Sequence, residues 1–270
     1  FKVSLQVGDN ISYHASFEAA IDAAPRNMSD PVTITLLADL PACNIFGSRN
    51  ITLDMNGKHL LGDTVTVNNH CKLTLTGSFD EFSLPLIVNG DENGTGELDR
   101  TGILVIDPTD SKSVVGSINA KDASRVTVLG GTIESLYIQA TDTEKLSYID
   151  LAGGTYQNIS FPNITGNVTL TDLLAPGCAF RCDEDFSKYS AGALIDYGFQ
   201  LNAKTLIENL SVVPCEHPSV DEWRGYCAYC GKLYAAKITK ADGTEHYLET
   251  LTDDDVLSAA GGTGKLLQDA

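Results

Sequence analysis

The amino-acid sequence predicts an all-β chain whose main body is a parallel β-helix, a solenoid of stacked rungs, and two observations carry that expectation. The first is an internal echo. Val126-Thr127-Val128-Leu129-Gly130-Gly131-Thr132-Ile133 returns 23 residues later as Ile149-Asp150-Leu151-Ala152-Gly153-Gly154-Thr155-Tyr156. Each copy is an alternating strand, a Gly-Gly break, then a threonine and a large apolar residue. Repetition at such a period marks a solenoid, in which each unit buries its apolar face only against its neighbours. The second is the recurrence of short alternating strands, Ile34-Thr35-Leu36-Leu37, Ile51-Thr52-Leu53-Asp54, Leu73-Thr74-Leu75-Thr76 and Val168-Thr169-Leu170-Thr171, between glycine or asparagine corners. An antiparallel β-sandwich also uses short strands between turns. It does not ordinarily repeat a Gly-Gly-Thr corner in register.

The elements follow in order. Residues 1–14 alternate around Gly8-Asp9-Asn10, a hairpin signal. Ser16 then caps a short helix over residues 17–24, with Phe17, Ala20, Ile21 and Ala24 on one face. This N-terminal hairpin and capping helix fill residues 1–31. Rungs begin at Val32, and the parallel β-helix with its closing segment occupies residues 32–213. Within it, Val126 is expected to stack on Ile149 and Val128 on Leu151. Residues 214–231 form a small zinc-ribbon-like knuckle. Residues 232–270 repeat the opening pattern of hairpin, acidic-capped helix and strand, with Leu266-Leu267-Gln268-Asp269 echoing Leu36-Leu37-Ala38-Asp39. They are either the start of a following repeat module or a C-terminal cap that shields the last rung from edge pairing.

Four residues of the knuckle carry metal chemistry: Cys215, His217, Cys227 and Cys230. Cys-x-His followed by Cys-x-x-Cys-Gly offers three thiolates and one imidazole, a set that suits tetrahedral zinc. Gly225 and Gly231 let the backbone curl around the sulfurs so that amides can reach them. No fifth ligand or general base stands nearby, so the zinc is expected to be structural. The competing arrangement is a Cys227–Cys230 disulfide with His217 exposed. Cys43, Cys71, Cys178 and Cys182 are either bridges or small apolar core residues, and the sequence leaves that choice open.

Composition narrows the function. A net charge of −18 argues against nucleic acid, whose phosphates are held by clustered Lys and Arg, and against adsorption to anionic lipid. No run of 18 apolar residues is present, so no membrane insertion by helix is expected. The chain begins at Phe1 and ends in what reads as an unfinished strand, the pattern of a segment of a longer protein.

Several pieces together resemble the large repeat-containing surface proteins of Gram-positive, often gut- or host-associated, bacteria. The resembling motifs are the helix at 17–24, the strand at 33–39 and Thr52-Leu53-Asp54-Met55-Asn56-Gly57-Lys58. Leu173-Leu174-Ala175-Pro176-Gly177-Cys178-Ala179-Phe180 and the Cys215 to Gly231 knuckle complete them. The resemblance implies a pectate-lyase-like, right-handed β-helix and an extracellular, cell-wall-attached location. It implies no particular ligand. Cys178 and Cys182 depart from the pattern, where a Tyr and a polar residue are usual.

The expected function is therefore a non-catalytic module of a secreted surface protein. It serves adhesion to a host glycan or host protein, or spaces adjacent repeat modules. The alternative is a polysaccharide-active β-helix enzyme domain, a lyase or a glycoside hydrolase. Hydrolysis needs paired carboxylates on adjacent rungs, and lyase chemistry needs a basic residue beside calcium-binding acids. Neither constellation stands out in the sequence, so no catalytic residue is assigned. The polar loop at residues 89–101 is the longest interruption of the rungs and the first place to look for a ligand.

Overall fold

In the computed structural model the chain forms a parallel β-solenoid of about 5 turns with a single α-helix among the described residues. The structure describes residues 1–91, 100–121, 123–139, 148–162, 168–185, 189–196, 200–201, 207–216, 220–221, 225–234, 236–248 and 263–266. No helix among them is long and apolar enough to cross a membrane.

The rungs stack in strict register, because alternate residues of each strand of the first sheet face inward and only one register stacks the buried ones into continuous columns. On the first sheet, Val32, Ile51, Leu73, Leu104, Val126 and Ile149 form one inward column. Two residues further on, Ile34, Leu53, Leu75, Ile106, Val128 and Leu151 form a second, all fully buried. The expected pairs, Val126 on Ile149 and Val128 on Leu151, are parallel partners. The facing sheet carries its own columns, Val65, Leu86, Ile118, Leu136 and Ile159. Beside them Phe82, Val115, Ile133 and Tyr156 line up. The turn from Leu73 to Leu104 is longer than its neighbours because it holds the polar loop at 89–101, of which residues 92–99 lie outside the described residues.

Corners explain the recurring glycines and asparagines. In the two Gly-Gly-Thr corners the second glycine has positive φ, 81° at Gly131 and 90° at Gly154. A Cβ on Gly153 would lie 2.3 Å from the Leu129 carbonyl oxygen, and one on Gly154 would lie 2.9 Å from that of Gly131. Successive rungs touch through bare backbone there, so a side chain would push them apart. At another corner Asn89 Nδ2 donates to Asn68 Oδ1 at 3.0 Å, and Asn68 Nδ2 donates to the Ile45 carbonyl at 3.0 Å. The Asp54–Lys58 motif is a tight corner too. Asp54 Oδ1 accepts the Asn56 amide at 3.0 Å, and Asn56 Nδ2 reaches back to the Leu36 carbonyl.

Antiparallel strands close both sheets. At the N-terminal end Val3–Val7 pairs antiparallel with Val32–Leu36 and with the outer strand Asn10–His14. The helix Phe17–Ala23 starts where expected, with the Ser16 side chain accepting the Ala19 amide at 3.1 Å, and it buries Phe17, Ala20 and Ile21 in the solenoid interior. At the other end Ile207–Pro214 lies antiparallel on Thr155–Ser160 and is followed in the sheet by Cys178–Cys182. Such antiparallel caps remove the free edge that a parallel rung would otherwise offer to another chain.

Arg49 holds the helix in place. Its side chain is 1 % exposed. Nε donates to the Ala24 carbonyl at 3.2 Å, and the two Nη groups donate to the carbonyls of Phe46 and Asp22. The cation thus satisfies carbonyls at the C-terminus of the helix, where the helix dipole also favours positive charge. Its guanidinium lies 5.1 Å from the Phe46 ring centroid. Replacing Arg49 by leucine strands these buried acceptors, at a cost of about 2–4 kcal/mol. Urea unfolding should show a lower midpoint for Arg49→Leu, and only partial recovery in Arg49→Lys, which lacks the planar fork. An unchanged midpoint in Arg49→Leu would show that the helix is held by its apolar face alone.

Candidate metal centre

The knuckle is assembled from two arms. The first is the end of the closing strand Ile207–Pro214: the next residue, Cys215, donates its amide to the Gly177 carbonyl at 2.8 Å. That bond fixes one sulfur against the segment that leads into Cys178–Cys182. The second arm is a small antiparallel pair, Val220–Asp221 with Tyr226–Cys227, entered through Gly225 at φ 67°. After Cys227 the chain makes one tight turn. The Gly231 amide donates to the Cys227 carbonyl at 3.0 Å, and the Cys227 amide donates to the Lys232 carbonyl at 2.9 Å. Gly231, at φ 69°, reverses the backbone directly behind Cys230.

These arms bring Cys215, Cys227 and Cys230 together, with their sulfurs all within 4.8 Å of one another. The Cys215 and Cys227 sulfurs are 3.6 Å apart. A tetrahedral ion with metal–sulfur bonds near 2.3 Å has sulfur–sulfur edges of about 3.8 Å, so the spacing fits a shared metal. It does not fit a disulfide, whose sulfurs are about 2.05 Å apart. Cys215 and Cys227 are buried and Cys230 is half-buried, in a small apolar shell that includes Ala179 and Tyr234, with Leu194, Tyr229 and Tyr247 packed against it. Burial pushes the Cys230 thiol above its ordinary value, while the Lys232 backbone amide pulls the other way. A metal bound among three sulfurs in such a shell would balance the charge of the thiolates that ligate it. The cluster can therefore hold a metal ion. His217, the fourth expected ligand, lies outside the described residues.

The remaining cysteines do not join this cluster. Cys178 and Cys182 stand at opposite ends of one strand, about 13 Å apart at the usual strand rise, too far for a bridge. The Cys178 sulfur is 3.7 Å from the Ala152 carbonyl oxygen, and its thiol is raised by burial first and by Asp150 second. Cys71 is buried in the core, and burial likewise raises its thiol. Cys43 is pushed up to about 12 by burial and then by Glu18 and Asp22, which keeps it a neutral thiol. Asp107 and Asp110 are both exposed and outside this cluster; the Asp107 backbone carbonyl accepts Thr76 Oγ1, and Asp110 Oδ1 accepts the Lys112 amide. The aspartates at 253–255 lie outside the described residues.

Sequence spacing did not point to Ala179, Leu194, Tyr229, Tyr234 and Tyr247 as the shell of the site. Tyr229 lies inside the knuckle, between Cys227 and Cys230, while Tyr234 and Tyr247 follow it, and these aromatic residues are the signal the sequence offers. No family model, curated protein or solved structure matches the chain.

Cys227→Ser removes the most buried of the three sulfurs and should abolish tight metal uptake, read as loss of one bound ion per chain in metal analysis. Since ligands must shed protons to bind, apparent affinity should rise with pH and fall on acidification. The slope should be about one log unit per pH unit for each thiol proton released. Equal metal content in wild type and Cys227→Ser would show that these sulfurs hold no ion.

Proposed function

We propose that the chain is a non-catalytic module of a secreted bacterial surface protein, presenting a flat solenoid face to a neutral host glycan or a host protein and spacing neighbouring modules. The observation that carries this reading is the outward surface of the first sheet. Gln6, Thr33, Thr52, Thr74, Val105, Thr127 and Asp150 occupy one register column, and Ser4, Thr35, Asp54, Thr76 and Asp107 the next. Threonine hydroxyls recur here at the strand spacing of about 4.8 Å, each able to donate and accept. Such a surface suits extended neutral polymers or a polypeptide. With a net charge of −18, anionic polymers are repelled at low salt.

The alternative, a polysaccharide lyase or glycoside hydrolase, draws on one feature of the same face. Asp54 and Asp107 flank Thr76 in one column, about 10 Å apart by strand spacing. That is at the outer limit for an acid–base pair acting through water. Asp54 is already engaged in its corner, accepting the Asn56 amide, and its carboxylate lies where a Cβ on Gly77 would stand. Its role as a corner brace supports the non-catalytic reading.

For the knuckle we assign zinc in a structural role, with Cys215, Cys227 and Cys230 as thiolate ligands and His217 completing the set. Three thiolates and an imidazole leave no open position for chemistry. The extracellular, cell-wall-attached location and the Gram-positive source rest on the resemblance of the Thr52–Lys58, Leu173–Phe180 and Cys215–Gly231 motifs.

The test is a binding screen of the purified chain against neutral glycans, acidic glycans and host proteins. A ligand should be found among the neutral glycans or proteins. The pair Thr52→Lys and Thr127→Lys, placed on non-adjacent strands, should weaken it at least about tenfold without lowering the unfolding midpoint, as expected for surface substitutions. Depolymerisation of a polysaccharide by the purified chain, lost in Asp54→Asn with Asp107→Asn, would establish the enzyme instead.

A further inference from the structure

We infer that the three-stranded sheet within residues 236–266 is a second solenoid start, whose outer strand Thr263–Leu266 receives a parallel rung strand of the Asn50–Asp54 kind along its open edge. The inference rests on topology and register and is independent of the ligand reading above.

The first start is the sheet in which Val3–Val7 lies between Asn10–His14 and Val32–Leu36, antiparallel to both. In the second, Ala236–Thr239 lies between Glu245–Leu248 and Thr263–Leu266, again antiparallel to both. The registers coincide position by position. Val3 sits between His14 and Leu36, and Ala236 between Leu248 and Leu266. Leu5 sits between Ser12 and Ile34, and Ile238 between His246 and Gly264. Gln6 sits between Ile11 and Thr33, and Thr239 between Glu245 and Thr263. The hairpin turn of the second sheet is one residue longer, and the four pairs from Ala236↔Leu248 to Thr239↔Glu245 keep the register of Val3↔His14 to Gln6↔Ile11. Burial agrees: Val3 and Leu5 are buried in one central strand, Ala236 and Ile238 in the other.

A shared hairpin alone would mean little. A return strand paired at the same positions across a long intervening segment is a stronger match, since loop lengths and turn types leave that register free. Leu266 takes the place of Leu36, the residue from which the first start leads into the rungs.

The difference lies beyond the return strand. Val32–Leu36 carries Asn50–Asp54 in parallel on its far edge. Among the described residues, Thr263–Leu266 is the last strand of its sheet, with none paired beyond it. An open edge presents a row of backbone donors and acceptors that a further strand can complete. The occupant fixed by the first start is a parallel strand, with its apolar residues facing the same side as Ala236 and Ile238.

The test joins the whole chain to a second copy of residues 41–216, so that residues 232–270 stand where residues 1–40 stand in the first solenoid. Two further chains serve as controls. In one, the second copy follows residue 231 with no start; in the other, it follows residue 231 with its own residues 1–40. Limited proteolysis reads the outcome, because cleavage follows the population of open chain. The second solenoid should be cleaved at least about tenfold more slowly in the tandem than in the chain without a start, and as slowly as with its own start. Ile238→Asp in the tandem should remove protection from the second solenoid only. Cleavage of the second solenoid as fast as in the chain without a start would overturn the inference. So would concentration-dependent dimerisation of the unextended chain that Gly264→Pro abolishes, since Gly264 opposes Ile238 at a position whose N–H faces the open edge and the edge would then serve a second copy. Either result leaves the metal centre and the ligand reading untouched.

Discussion

A parallel rung has no way to end itself. Each strand of the solenoid satisfies its backbone by pairing with the rungs on either side, so the first and last rungs carry exposed donors and acceptors. Much of what is distinctive in this chain follows from that constraint. The inward columns from Ile34 to Leu151 are repetitive and individually unremarkable in composition; one strand could be exchanged for another of the same pattern. The ends are where unusual residues gather. At one end sit an antiparallel hairpin, a short helix and a buried arginine. At the other sit an antiparallel closing pair and a cysteine cluster.

The two ends solve the same problem by different chemistry. Arg49 brings a permanent cation to the carbonyls at the helix terminus, and its partners are backbone oxygens rather than a carboxylate. These bonds add to the apolar face of Phe17, Ala20 and Ile21, which the seven-residue helix buries in the solenoid. The cysteine cluster instead gathers three sulfurs from two short arms that have little apolar core of their own. The Cys215 amide bonded to the Gly177 carbonyl links this small unit to the closing strands. A metal held there would stabilise a unit too small to stand on burial alone. The paths from that unit to the solenoid are the Cys215–Gly177 backbone hydrogen bond and the packing of Ala179 against Cys215 and Cys227.

Sequence reading recovered what is periodic and what is local. The Gly-Gly-Thr echo fixed the pairing of Val126 with Ile149, because only glycine permits the positive φ and the close rung contact at Gly154. Ser16 was legible as a cap because its partner, the Ala19 amide, lies three residues away. The cysteine spacing of the knuckle was legible for the same reason. Arg49 was not. Two of its three acceptors are main-chain carbonyls more than twenty residues earlier, and an arginine in a corner reads as a solvated charge. The long turn between Leu73 and Leu104 is not legible as part of a regular column either, since its loop breaks the apparent period while the strands on either side keep their register. The duplicated start was visible in sequence as a loose echo. It became a position-by-position correspondence only once the strand pairings were known.

The central claim is that the rungs are parallel and stacked in the stated columns. Methyl-to-methyl nuclear Overhauser contacts in a chain labelled at isoleucine, leucine and valine test it most directly. The account predicts strong contacts of Val128 with Leu151 and with Ile106, and of Val126 with Ile149 and with Leu104. Strong contacts of Val126 with Leu151 and of Val128 with Ile149, with the predicted pairs absent, would mean antiparallel strands and would contradict the solenoid.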